Sequence, residues 1–363
     1  MKNNYDLSKS TNYLNRKMFL DGIVTVQRFE EYRYPKISKF EELQRGFFWV
    51  PEEISLTKDK IDFKESGSAV KHIFTSNLLR QTALDSIQGR APVQIFTPVV
   101  SIPELESLVL LWSMFETNIH SKSYSHIIRN IYSVPKEEFN KIHDTKEIVE
   151  MAANVGRYYD KLHMLNSYKE TGTDVAESHH IKAIWLALNA SYALEAFRFM
   201  VSFATSLAMV ENKIFIGNGN IIALILQDEI LHAEWTAWII NQVVKDDERF
   251  AKAKEECEQE VYQMYLDVIK EEKAWADYLF SKGVVIGLNS QILKDFVDYT
   301  AFTRLKEIGI KYLEEHPKTN PIPWFNKHVN INKKQTALQE NESTNYVIGV
   351  MSDKVVYEEL PDL

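Results

Sequence analysis

The sequence predicts an all-α protein, a helical bundle closed around two metal ions held by carboxylates and histidines. No proline occurs between Pro135 and Pro317, and proline is the residue that most often breaks a helix. Strand signals are confined to Val93–Val100, which Pro98 interrupts. An acid followed about one helix later by a Glu–His pair occurs twice in the same order: Asp85 then Glu116 and His120, and Glu195 then Glu229 and His232. From Asp85 to Glu116 is 31 residues and from Glu195 to Glu229 is 34, the length of one long helix and a turn each time. A Glu–His pair on each of two helices, with a lone carboxylate on each of two others, is the recurring di-metal arrangement of helical bundles.

Taken in order, residues 1–36 read as irregular, ending near Pro35. An aromatic knot at 47–53 leads into a short helix. Helical patterns then cover 67–88, 102–131, 145–170, 178–211, 216–244, 247–281 and 290–312. Gly89 and Pro92 stop the first of these, and Pro103 sits at the start of the second, where helices tolerate it. From Pro317 the chain turns polar and aperiodic. The organisation expected is an N-terminal irregular segment (1–36), a helical di-metal domain (37–316) and a flexible tail (317–363). Apolar and acidic residues at 346–351 and 355–363 give that tail the character of a docking peptide.

The chain is long enough, at 363 residues, for a sizeable core. Its net charge of −9, with no basic block, argues against nucleic acid as a partner. The single cysteine, Cys257, excludes an intrachain disulfide and a thiolate metal cluster, and fits a reducing compartment. The first residues are polar, without a signal-peptide core. The most apolar run, 192–210, contains Glu195 and Arg198 and reads as a buried helix, not a membrane span. The expectation is a cytoplasmic protein, in the host cytoplasm if phage-encoded.

The chemistry centres on 225–235. Glu229 and His232 are three apart, on one face of an apolar helix, and a charge buried there needs a partner. A lone Glu195 could equally be a core acid paired with Arg198 or a histidine. Six such residues in a repeated order favour a metal site. Four carboxylates and two imidazoles suit iron or manganese better than zinc or calcium. Two further clusters, Glu177 with His180 and Asp160 with His163, lie in polar segments and read as solvated faces. Tyr124 follows His120 by four residues and shares its face. Phe199, Phe203, Ile222 and Ile225 stand at helical offsets from Glu195 and Glu229 that can line a dry pocket around it. Asp228 can take a hydrogen bond from a ligand imidazole.

Several segments carry a more specific resemblance: Leu84-Asp-Ser-Ile-Gln-Gly-Arg90, Ser101-Ile-Pro-Glu-Leu-Glu106, His126-Ile-Ile-Arg-Asn130, Ala193-Leu-Glu-Ala-Phe-Arg-Phe199, Asp228-Glu-Ile-Leu-His232 and Trp275-Ala-Asp-Tyr-Leu-Phe280. From about residue 18 to the tail the chain resembles the small, radical-generating subunit of class I ribonucleotide reductase, of the bacterial and phage Ia type. The resemblance implies a ferritin-like helical bundle with a di-metal carboxylate site. Two iron ions per chain, or a manganese or mixed pair, would react with dioxygen and oxidise Tyr124 to a stable radical. Asp85, Glu116 and His120 would hold one ion and Glu195, Glu229 and His232 the other, with Glu116 and Glu229 bridging. The oxidising equivalent would pass through His120, Asp228 and Trp49 to Tyr346 of the tail, and on to a cysteine of the large catalytic subunit. A homodimer and a tail-docked large subunit are the implied partners. Other ferritin-like di-iron proteins share the ligand order but not Tyr124 or the Trp49 and Tyr346 pair. A scaffold with a vestigial site is a further alternative.

Two departures stand out. Gln227 occupies a place where arginine is common, and Glu116 and His120 are four apart where the family has three. The flanking offsets are kept: Trp112 is four before Glu116 and Tyr124 four after His120. The extra residue is thus confined to 117–119, and the spacing predicts a π-bulge near Asn118 that returns both ligands to the metals; the alternative is a straight helix with Glu116 turned away and an altered first metal site.

Overall fold

The proline-free middle of the chain folds as long helices whose apolar faces bury one another. The structure, a computed structural model, describes Leu7 and residues 12–329. Among the described residues there are fourteen α-helices and only isolated β-bridges. They are α1 (Pro35–Gly46), α2 (Thr57–Glu65), α3 (Ser68–Gln88), α4 (Ala91–Phe96), α5 (Pro103–Met114), α6 (Ser121–Ile131), α7 (Pro135–Asp144), α8 (Lys146–Glu170), α9 (Glu177–Ala193), α10 (Met200–Glu211), α11 (Ile216–Asp246), α12 (Glu248–Glu256), α13 (Glu258–Leu279) and α14 (Ser290–Glu307). One π-turn, Phe115–His120, joins α5 to α6, and another, Leu194–Arg198, lies between α9 and α10. The stretch Glu177–Glu211 is long and apolar enough to cross a membrane, but its side chains are buried inside the bundle.

Several local readings change, each for a physical reason. Val93–Val100 is not a strand. Pro92 falls in the first turn of α4, where its missing N–H costs nothing, and so starts a helix instead of ending one. Only Val100 pairs, in a single antiparallel bridge to Phe19. The pattern over 247–281 is two helices. Asp247 caps α12 by accepting from the Arg249 N–H at 3.0 Å, and the chain breaks at Cys257 before α13. Helix α14 stops at Glu307, because Gly309 (φ +74°) closes a Schellman motif: Ile310 N–H donates to Leu305 C=O at 2.9 Å and Gly309 N–H to Lys306 C=O at 3.1 Å. Past Pro317, Ile322 and Phe325 are buried, with Phe325 against Phe296, so packing persists to the last described residues.

Helix α11, which carries three of the predicted site residues, is fixed at its N-terminus by α2. Asp59 is buried and accepts from the N–H groups of Gly217 (3.0 Å) and Asn218 (2.7 Å), and Asp62 accepts from Phe215 N–H (2.9 Å). Carboxylates here satisfy orphan donors and complement the helix dipole. Gly217 is required, since a Cβ would strike the Ser55 carbonyl and Asp59.

Candidate metal centre

Four elements bring six side chains to one point in the core. Helix α3 supplies Asp85, the first π-turn Glu116 and His120, the second Glu195, and α11 Glu229 and His232. All six are fully buried. They form two overlapping donor groups, Asp85 with Glu116, His120 and Glu229, and Glu116 with Glu195, Glu229 and His232, within which donor atoms lie within 4.8 Å of one another. Nδ1 of His120 is 3.2 Å from Glu116 Oε2, 3.1 Å from Glu229 Oε1 and 3.8 Å from Asp85 Oδ2. Nδ1 of His232 is 2.8 Å from Glu116 Oε1, 3.0 Å from Glu229 Oε2 and 3.8 Å from Glu195 Oε2. Glu116 and Glu229 therefore face both imidazoles, one oxygen each, while Asp85 and Glu195 are terminal.

The Glu116–His120 spacing is absorbed by the π-turn. Ser121 N–H donates to the Glu116 carbonyl, five residues back, so the additional residue is looped out and Glu116 and His120 converge. Thr117 and Asn118 take the exposed side of the bulge. Ser113 and Thr117 (3.1 Å) donate their hydroxyls to the Gly89 carbonyl, tying the bulge to the end of α3. A Cβ at Gly89 would collide with Thr117.

The electrostatics are those of a site built for cations. Burial, then the Glu116 and Glu229 charges, raise the Asp85 and Glu195 carboxyls well above their ordinary values. Burial disfavours charge on His120 and His232, but the surrounding carboxylates outweigh it and raise both. Burial also opposes ionisation of Glu229, yet contacts with Glu195 and both imidazoles hold it below the carboxylate range. Both Asp85 oxygens and Glu195 Oε2 are buried without hydrogen-bond partners. Orphaned carboxylate oxygens turned to a common centre fit divalent metal ions, which suits this hard oxygen-rich donor set.

A second layer of donors orients the first. Trp112 Nε1 donates to Glu116 (3.1 Å) and Glu195 (3.0 Å), and Gln88 Nε2 to Glu195 (2.6 Å). Tyr159 OH in turn donates to Gln88 Oε1 at 2.9 Å. On the other side, Asp228 is fully buried, not the surface acid its position on a helix would allow. Its Oδ2 lies 3.0 Å from His120 Nε2 and accepts from Trp49 Nε1 at 2.9 Å. Gln44 of α1 donates to Asp228 Oδ1 at 2.9 Å, and its Oε1 sits 3.1 Å from His232 Nε2. Each imidazole thus turns Nδ1 to the carboxylates and Nε2 to this outer pair, the tautomer that metal ligation through Nδ1 requires.

Tyr124 is fully buried with its phenol hydroxyl beside the Asp85 carboxyl. Burial and the neighbouring Asp85 charge push its pKa well up. Phe199, Phe203, Ile222 and Ile225 are all fully buried, with the two phenylalanines stacked at 5.3 Å. Tyr346 lies outside the described residues.

His180 corrects an expectation. It is buried, with Nε2 2.7 Å from Asn166 Oδ1, because it begins the inner face of α9; its neighbour Glu177 is exposed and paired with Arg249. Asp160 and His163 are solvent-exposed. Arg198 turns away from Glu195 to pair with Glu271 at 2.6 Å. Sequence reading missed Gln44, Gln88 and the second π-turn. Gln88 was findable, three residues after Asp85 on the same helical face. Gln44 was not, because a glutamine in a helix of low apolar content reads as surface.

The family model for ribonucleotide reductase, small chain, matches residues 27–321. The chain belongs to that family. It is 41% identical over 356 residues to the ribonucleoside-diphosphate reductase subunit beta of Haemophilus influenzae, covering 94% of each chain. It is 35% identical to the subunit beta of Enterobacteria phage T4, again covering 94% of each. In structure it is similar to the ribonucleotide reductase R2 subunit from Clostridium botulinum, with a TM-score of 0.75, 21% identity, and coverage of 86% of this chain and 94% of that one. The bundle is therefore ferritin-like, and its buried cluster of carboxylates and histidines could hold metal ions.

Proposed function

We propose that this chain is the radical-generating small subunit of a ribonucleoside-diphosphate reductase, acting with a large catalytic subunit on ribonucleotides to give deoxyribonucleotides. The observation that carries this reading is the hydrogen-bonded line from Trp49 through Asp228 to His120, with Tyr124 beyond Asp85. A pair of iron ions, or of manganese ions or one of each, held by Asp85, Glu116, His120, Glu195, Glu229 and His232, would supply activation of dioxygen and the oxidising equivalent for Tyr124.

The chain's own residues do the rest. Glu116 and Glu229, each with one oxygen turned to either imidazole, would be ligands to both ions. Trp112 and Gln88 hold Glu116 and Glu195 in place. Tyr124 keeps its phenolic proton in a dry site, so it is oxidised by losing electron and proton together, with Asp85 beside it to receive the proton. Phe199, Phe203, Ile222 and Ile225 belong to the water-free core that protects such a radical from quenching. Asp228 accepts from both Trp49 and His120, coupling indole and imidazole for movement of an electron with its proton. Tyr346 would continue the route, and the tail beyond 330 would dock the large subunit. Exposed Leu43 and Leu110 on the packed helices α1 and α5 offer apolar surface for a homodimer.

The test is an EPR spectrum of the full chain after anaerobic iron loading and exposure to air. A tyrosyl signal is expected that Tyr124→Phe abolishes while metal content stays at two ions. The same radical in that variant would overturn the assignment.

A further inference from the structure

A second polar cluster lies in the core between α3, α13 and the turn Leu194–Arg198. Asn77, Arg80, Gln81, Arg198 and Glu272 are each at most 2% exposed. Arg80 pairs with Glu272 and stacks over Trp275 at 4.6 Å, and Arg198 pairs with Glu271. Arg80, Arg198, Glu271 and Glu272 lie within Coulombic reach of one another. These pairings leave buried atoms over: Asn77 Nδ2 and Oδ1, Arg80 Nε and Nη1, Gln81 Nε2 and Oε1, Arg198 Nε and Glu272 Oε2 have no protein partner. Both ends of each amide are unpaired, so flipping the amide supplies nothing. Buried polar groups in such number are not left bare in native proteins.

The chemistry of the orphans selects their ligand. Five are donors and three are acceptors. A bare anion would leave the acceptors unserved, and a cation would face two guanidinium groups. Water donates and accepts, and is the usual occupant of a roomy polar core site. The placement is also directional. Asn77, Gln81, Asp85 and Gln88 form one stripe along α3, so Gln81 is one turn from Asp85. Arg198 is three residues after Glu195. At the far end the Glu271 side chain is 23% exposed. Gln81 is thus the end of the cluster next to the metal centre, and Glu271, paired with Arg198, its partly exposed end.

We propose that Asn77, Arg80, Gln81, Arg198 and Glu272 bind a cluster of water molecules that connects solvent at Glu271 to the metal centre. The connection, though not the cluster itself, rests on the di-metal reading. A crystal structure of the full chain at a resolution that shows ordered solvent should place waters each bonded to two or more of the named atoms. Rearranged side chains that pair among themselves around a dry core would overturn the cluster. The double substitution Arg80→Met with Glu272→Met removes both charges together, which buried pairs tolerate better than loss of one partner. It should expel the waters and make Mn(II) uptake by the metal-free protein, followed by loss of the free-ion EPR signal, several-fold slower at unchanged final occupancy. If that protein does not fold, Gln81→Leu, which leaves the Arg80–Glu272 pair intact, is the substitute, read the same way. Uptake at the wild-type rate through a dried chamber would refute the connection. A wild-type chain that bound no Mn(II) would instead sink the di-metal reading and leave the water sites standing.

Discussion

Deleting Asn118 and deleting Lys122 are the same operation on the same helical run, and their outcomes should differ sharply. Both residues are exposed, so neither deletion removes a buried side chain. Each shortens the helix by about 1.5 Å and turns the residues downstream by about 100°. At Asn118 that turn is already stored as the bulge. The bond from Ser121 N–H to the Glu116 carbonyl becomes an ordinary i→i+4 bond, and Glu116, His120 and Tyr124 keep their facing. The stability change should be small, within about 0.5 kcal/mol, as is typical of surface changes. At Lys122 there is no stored turn. Tyr124, Ile127, Ile128 and Ile131, all buried, rotate out of the core. At roughly 1.5–3 kcal/mol each, four misplaced side chains cost about 6–12 kcal/mol, comparable with the whole stability of a domain. Thermal unfolding and Mn(II) stoichiometry of the two full-length variants give the comparison. A protein lacking Asn118 that melts as low as the one lacking Lys122, or that binds no metal, would refute the account of the bulge.

Asp228→Asn should retain metal and the Tyr124 radical but lose turnover with the large subunit, since the amide disrupts acceptance from both His120 and Trp49; full turnover would remove Asp228 from the route. In the metal-free protein Asp85, Glu195, His120 and His232 have raised pKa values, and burial lifts Glu272 to about 7 against the pull of Arg80 and Arg198. Groups raised on folding stabilise fully below their unfolded pKa and lose that contribution as pH rises through the folded one. The metal-free Tm should therefore fall as pH rises from 4.5, the ordinary value for Glu272, through about 7, where its buried carboxyl loses its proton, while the Tm gain from Mn(II) grows over the same interval because ligation displaces protons; a flat gain in calorimetry would contradict this. Removing the residues after Met351 should leave metal content and radical unchanged while raising the concentration of large subunit needed for half-maximal turnover. An unchanged titration would exclude the tail as the docking element.

The site was more legible in the sequence than the helices that serve it. Asp85, Glu116, His120, Glu195, Glu229 and His232 could be singled out because ionisable groups inside apolar helices are costly and so few in number. Asp228, by contrast, is separated from Glu229 by one position, and nothing local distinguishes a buried acid there from a surface one. Its burial depends on α1 and the segment that follows it, where local pattern did not reveal a helix: Gln44 and Trp49 reach it from more than 170 residues away in the chain. The bulge at Phe115–His120 was readable because fixed offsets on both sides trapped the additional residue. The bulge at Leu194–Arg198 left no such mark, since a single carboxylate has no paired ligand against which to measure a slip. Pro92 was misread because the same residue ends one helix and begins the next, and only tertiary packing decides which.

The Gln44–Asp228 pair gives the two site imidazoles a common floor. His120 rests on the carboxylate and His232 on the carboxamide, and the two are hydrogen-bonded to each other. Ordering one imidazole for an ion holds the pair still, and so orders the other before a second ion arrives. Part of the entropy lost on filling either position is then shared by both, which is thermodynamic coupling without any change of shape. On the di-metal reading, filling one position should then make the other more favourable to fill than it would be without the shared Gln44–Asp228 pair.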